Sequence, residues 1–105
     1  MRAVGMGGYV RLDDAHVVFV RSGRGKLQHP RYHPATVPIE GMVGVSLREP
    51  QGLTTGRLCV RVLGYSDEEM ARPDYRFCIN FGVWQLTNMR VIEAEIARRT
   101  AEISS

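Results

Sequence analysis

Residues 36–63 read TVPIEGMVGVSLREPQGLTTGRLCVRVL, and their order decides the fold. Val37 and Ile39 flank Pro38, whose missing N–H cannot serve a central ladder, so this segment leads into a strand or forms an edge, bent at Gly41. Val43, Val45 and Leu47 then alternate with Gly44, Ser46 and Arg48. A period of two places the apolar set on one face of a strand. Pro50, Gly52 and Gly56 interrupt the pattern. A second run follows, with Leu58, Val60 and Val62 on one side and Arg57, Cys59 and Arg61 on the other. Two strands joined by a Pro/Gly connection, in a chain with one strongly helical segment at its end, predict an α+β domain. The architecture expected is a small antiparallel β-roll closed by one C-terminal α-helix.

The flanking segments extend the pattern. Residues 1–7 carry little periodicity and are expected to be a flexible end, leaving 8–105 as one domain. Val10 and Leu12 share a face opposite Tyr9 and Arg11, and Ala15–Arg21 is rich in β-branched and aromatic residues that suit a pleated surface. Asp13-Asp14 predicts a tight turn between them, which sets Val10 opposite Val17 and Arg11 opposite His16. Residues 22–34 hold Gly23, Gly25, Pro30 and Pro34, which forbid a long regular element. Downstream, residues 64–73 read as a polar loop, and Tyr75, Phe77, Ile79 and Phe81 form an inward strand face.

From Val83 the period changes. Met89, Ile92, Ile96 and Ile103 recur at helical spacing, with charged residues in most other positions. Glu95 precedes Arg99 by four, the favourable orientation for an intrahelical pair. Thr87 is a candidate cap with Leu86 and Val91 as its staple, and a start at Val83 is the alternative. Trp84 and the Met/Ile stripe are expected to cover the open end of the roll, and the distal Ile96–Ile103 stripe offers a contact to a second copy.

With 105 residues the chain suits one domain and buries about two-thirds of its unfolded surface, enough for one modest core without staples. No apolar run of about 18 residues occurs, and residues 1–8 lack the pattern of a secretory signal, so a cytoplasmic location is expected. Net charge is +3, and Lys26 is the single lysine among 14 basic residues. Such Arg bias accompanies GC-rich coding genomes, as in actinobacteria and their phages. Cys59 and Cys78 form no metal-ligand spacing and are expected to be thiols in a reducing compartment.

The residues Val37-Pro38-Ile39, Val43, Val45, Pro50, Gly52, Gly56 and Leu58 resemble the core pattern of short bacterial and phage pleckstrin-homology-like domains. The likeness is closest to an actinobacterial family of unknown function and extends over residues 8–100. It implies a β-roll capped by a helix, and a domain that presents surfaces. A full pleckstrin-homology roll has seven strands before its helix, whereas six are read here. Members that bind inositol phosphates carry a basic loop between the first two strands; here that loop holds Asp13 and Asp14.

Two clusters bear on chemistry. Arg21, Arg24, Lys26 and Arg31, with His29 and His33, lie in a stretch without an acid, 21–33. The plainer reading is a solvated loop; the sharper one is an anion site, with Tyr32 as a stacking face. The second cluster is the thiols. If Val62 pairs with Tyr75, Cys59 falls opposite Cys78 on the outer face, where two thiols either pack or form a reducible pair. The same register sets Arg61 beside Arg76, which opposes it. His16, His29 and His33 do not converge, so no metal is expected. Asp67-Glu68-Glu69 reads as solvated, and no nucleophile, base and acid stand at catalytic spacing.

The expected function is therefore a non-enzymatic interaction module that binds a protein partner through a sheet face or an edge strand. The alternative is an anion-binding module for nucleic acid or a phosphorylated lipid headgroup, using the basic loop. No cofactor is expected, and self-association through the helix or an edge strand is a further option.

Overall fold

The computed structural model describes residues 1–21, 34–73 and 75–104. Among them are two antiparallel sheets followed by a long C-terminal helix. β1 (Arg2–Gly5), β2 (Gly8–Leu12), β3 (His16–Arg21) and β4 (Ala35–Pro38) lie in that spatial order in one sheet. β5 (Met42–Arg48), β6 (Gly56–Val62) and β7 (Cys78–Phe81) form the other. A short helix, α1 (Asp67–Ala71), interrupts the β6–β7 connection, and α2 (Leu86–Ser104) follows β7. The expected class, an antiparallel α+β fold closed by one C-terminal helix, is the observed one.

The chain corrects several expectations. Residues 2–5 are a strand rather than a flexible end: Ala3 and Gly5 are buried, and Arg2, Val4 and Gly5 pair with Arg11, Tyr9 and Gly8. Met1 carbonyl also accepts the Leu12 N–H at 2.8 Å. The first predicted hairpin keeps its faces but shifts register, with Leu12 opposite Val17 and Arg11 opposite Val18. The cause is Asp13. Its Oδ1 accepts the N–H groups of Ala15 (2.9 Å) and His16 (2.7 Å), so Asp13 opens the turn instead of occupying its centre. Those two backbone bonds also hold its carboxyl below the ordinary carboxylate value.

A second shift occurs in β5. Met42 pairs with Val62 and Gly44 with Arg61, so one extra residue, Val43, sits in a bulge. Val43 therefore faces outward, 51% exposed, while Met42 takes the core position expected of it. The aromatic strand is also shorter than its pattern. Tyr75, Phe77, Ile79 and Phe81 are all buried, but only Cys78–Phe81 is paired as β7.

The segment expected as a polar loop around Asp67-Glu68-Glu69 holds α1. Ser66 Oγ accepts the Glu69 N–H, and Glu69 Oε1 accepts the Ser66 N–H, each at 3.1 Å. This reciprocal cap satisfies two orphan donors, and three acids in the first turn oppose the helix dipole favourably.

The two sheets meet where β1 reaches β7. Met6 N–H donates to Asn80 carbonyl at 2.8 Å. Gly5 permits the approach, because a Cβ there would lie 2.6 Å from Asn80 O and 2.8 Å from the Ile79 side chain. The remaining gap is filled by α2, which packs against β5 and β1. Met89, Ile92 and Ile96 are fully buried against Leu12, Phe19, Leu58, Val60 and Phe81. Each such side chain contributes about 1.5–3 kcal/mol by leaving water. Thr100 takes the next inward position, its hydroxyl satisfied by Ile96 carbonyl at 2.8 Å.

Two residues expected to cover the open end of the roll lie outside the core. Ile103 is exposed, and Trp84 is 74% exposed. Residues 83–85 form a 3-10 turn before α2, so Trp84 precedes the helical face and its ring folds over Gly82. Gln85 Oε1 accepts the Gly82 N–H at 2.9 Å, and Thr87 lies within the helix rather than capping it.

The predicted Glu95–Arg99 pair is present at 3.1 Å, and Arg98 joins it while also meeting Glu102. Arg99 further donates to Asp13 carbonyl, tying α2 to the β2–β3 turn. The hydrogen bonds from Arg98 and then Arg99 lower the Glu95 carboxyl from 4.5 to about 2. A depressed folded-state value contributes stability that is complete above 4.5 and is lost as pH falls toward 2. Thermal melts of Glu95→Gln and the parent should differ at neutral pH and converge below pH 2.

Gly5→Ala should destabilise the fold by about 1–3 kcal/mol, because the added methyl must push β1 away from β7. A urea midpoint equal to that of the parent would show that the seam opens without cost.

Candidate functional site

The outer face of the β5–β7 sheet carries an open cleft of about 400 Å³. Its floor is Val43, Gly44 and Ser46 of β5 with Cys59 and Arg61 of β6; its wall is Asp67, Met70 and Ala71 of α1. Three local facts create it. The bulge turns Val43 outward. Gly44 leaves open space where a side chain would stand, since a Cβ there meets no atom within 4 Å. The Ser66–Glu69 cap starts a helix that stands over the sheet instead of a loop lying flat on it.

Arg61 Nη1 pairs with Asp67 Oδ1 at 2.8 Å across the cleft. Both side chains are more than half exposed, so the pair orients α1 more than it stabilises it. Continued beyond Cys59–Cys78, the β6–β7 register would set Arg61 beside Arg76; β7 begins at Cys78, and Arg76 lies in the turn before it.

Arg57 fastens the other end of α1. Its Nη2 donates to Arg72 carbonyl (2.7 Å) and to Cys78 Sγ (3.1 Å), and its Nη1 to Ala71 carbonyl (3.4 Å). Beneath lies an aromatic cluster. Tyr65, Tyr75 and Phe77 meet edge to face, with each pair of ring centres 5.6 Å apart. Tyr75 hydroxyl donates to Val60 carbonyl at 2.6 Å, and burial pushes its pKa up to about 12.

Cys59 stands opposite Cys78, as the outer-face register predicted, and both carry free thiols. Cys59 lines the cleft while Cys78 is buried behind it. The Cys59 thiol as hydrogen-bond donor, followed by the Arg57 guanidinium, lowers the Cys78 thiol to about 6. The same sulfur contact, reinforced by burial, raises Cys59. A contact of 3.0 Å from Cys78 Sγ to Tyr75 carbonyl favours the protonated form and works against that lowering.

Of the basic residues proposed to bind an anion, Arg21 is described and Arg24, Lys26 and Arg31 lie outside the described residues, as do His29, Tyr32 and His33. Arg21 Nη2 donates to Cys78 carbonyl at 3.0 Å and to Tyr75 carbonyl at 3.4 Å, so its guanidinium joins β3 to the start of β7. His16 stands 3.7 Å from Asp13 at the β2–β3 turn. Among the described residues no group of three or more His, Cys, Asp or Glu is placed to hold a metal ion. Nor is any helix among them long and apolar enough to cross a membrane.

The cleft was missed from sequence because a bulge and a one-turn helix make it. The helix did leave a signal, Ser66-x-x-Glu69, the reciprocal capping pattern. A scan against models of known protein families, a search of curated proteins and a search of solved structures each found no match.

Ser66→Ala removes the cap on α1 and should cost that helix about 1 kcal/mol. Amide exchange at Glu69 and Met70 should quicken roughly fivefold while the β6 amides stay unchanged, a pattern that hydrogen-exchange NMR resolves.

Proposed function

We propose that this chain is a non-enzymatic interaction module of the pleckstrin-homology-like kind, and that it binds an extended segment of a protein partner along β5. The observation that carries the reading is the open cleft on the outer face of β5. Among the described residues β5 has a strand neighbour on one side, in the order β5-β6-β7. An edge strand accepts another chain through main-chain hydrogen bonds, and pockets beside it select alternate side chains. Val43 and Met70 offer the bound segment apolar contact, and the Arg61–Asp67 pair offers it polar groups. Division of the seven strands among the described residues into four and three, with a closing C-terminal helix, supports the pleckstrin-homology-like part of the reading.

A partner held this way depends on backbone and apolar contacts, so its affinity should vary little with salt. A polyanion held by the 21–33 loop would instead weaken steeply as counterions compete.

Peptides enriched from a random library on the immobilised protein supply the probe. They should shift the amide resonances of residues 43–48. Gly44→Phe fills the cleft from a position with free space above it, so it should leave the melting temperature within a few degrees and weaken those peptides by at least about tenfold. Peptides that bind Gly44→Phe as tightly as the parent, or that shift only residues away from β5, would remove this reading.

A further inference from the structure

The two cysteines form a second site, set by the β6–β7 ladder and opening through Cys59 onto the cleft. Val60 N–H donates to Phe77 carbonyl at 2.9 Å, which makes that pair hydrogen-bonded. Pairs alternate along an antiparallel ladder, so the next pair, Cys59–Cys78, is non-hydrogen-bonded. Cα atoms at such positions approach to about 4.5 Å, inside the window of about 4.4–6.8 Å that a disulfide accepts. Cys59 opens onto the cleft, which gives small solutes a path to the pair. Arg57 sets a fixed positive charge 3.1 Å from Cys78 Sγ.

We propose that Cys59 and Cys78 are a two-electron modification site that takes hydrogen peroxide as oxidant and closes reversibly to a cross-strand disulfide. One Sγ takes OH from the peroxide as the O–O bond breaks, and the hydroxide released leaves as water with the first thiol proton. The second Sγ then displaces hydroxide from the sulfenic acid, forming the S–S bond, and that hydroxide leaves as water with the second thiol proton. Two thiols and one peroxide thus give one disulfide and two waters, and a dithiol reverses the change. The fixed charge of Arg57 and the Cys59 hydrogen bond favour the thiolate at Cys78 that such chemistry needs.

The event reaches beyond the sulfurs. Arg57 holds Cys78 Sγ and the last carbonyls of α1 with one guanidinium. When Sγ bonds to Cys59 it becomes a poorer acceptor for the guanidinium, and the tie that holds the cleft wall weakens at that end.

The test treats the folded protein with one equivalent of hydrogen peroxide at pH 7 and follows intact mass and tryptic maps without reductant. Expected is loss of two hydrogen atoms, a Cys59–Cys78 linked peptide within one chain, and recovery with dithiothreitol. Arg57→Met should slow the reaction about tenfold at pH 7 and converge with the parent above the ordinary thiol range. Should that variant fail to fold, the parent's rate profile carries the same information through an inflection below the ordinary thiol value. Amide exchange of residues 67–72 should quicken in the oxidised form. Thiols that stay inert until urea unfolds the chain, sulfonic acid as the main product, or disulfides only between copies would overturn the proposal, and unchanged exchange at 67–72 would overturn its link to α1.

Discussion

Met89, Ile92 and Ile96 occupy the space between two sheets that cannot enclose it by themselves. Sheets of four and three strands each offer one apolar face, and β1 meets β7 directly where Met6 donates to Asn80. α2 is seated against β5 and β1 and shares one buried core with Phe19, Leu58 and Phe81. Helix and sheets therefore depend on one another: the helix has its apolar stripe only because the gap exists, and the gap stays dry only because the stripe fills it. The outward face of the β5–β7 sheet carries α1 and the cleft, with Cys78 buried beneath them.

Residues whose side chains obey a strict period could be read from the sequence. Leu58, Val60 and Val62 against Arg57, Cys59 and Arg61 gave the faces of β6, and with them the meeting of Cys59 and Cys78. The stripe from Met89 to Ile96 gave the long helix. What escaped has a common physical character. β1 alternates, but its inward residues are Ala3 and Gly5, small enough for close packing and too small to register as an apolar pattern. Val43 obeys the period in the sequence and violates it in space, because a bulge consumes one residue without changing the letters. Trp84, expected with the Met/Ile stripe over the open end of the roll, lies ahead of the helical face in the 3-10 turn.

The candidate site was legible only where its parts share a ladder. The tether from Arg57 to the end of α1 and to Cys78 depends on the path of the β6–β7 connection, which no local pattern specifies. Arg21 illustrates the converse. A basic residue beside a Gly-rich stretch reads as an anion ligand, yet here it meets the carbonyls at the start of β7. Long arginine side chains near a sheet end find backbone acceptors readily, and five donors in a fixed fork make them well suited to join separate strands.

The seam at Met6 and Asn80 bears on how the chain reaches this structure. Each meander is built from near neighbours in sequence, whereas the seam unites the first strand with the seventh. Contacts of low sequence separation form early, and loop closure over most of the chain must wait for them. Closing the seam between β1 and β7 therefore costs more loop-closure entropy than forming either meander. An open seam would leave the facing edges of β1 and β7 available to another chain, so its closure also shields them.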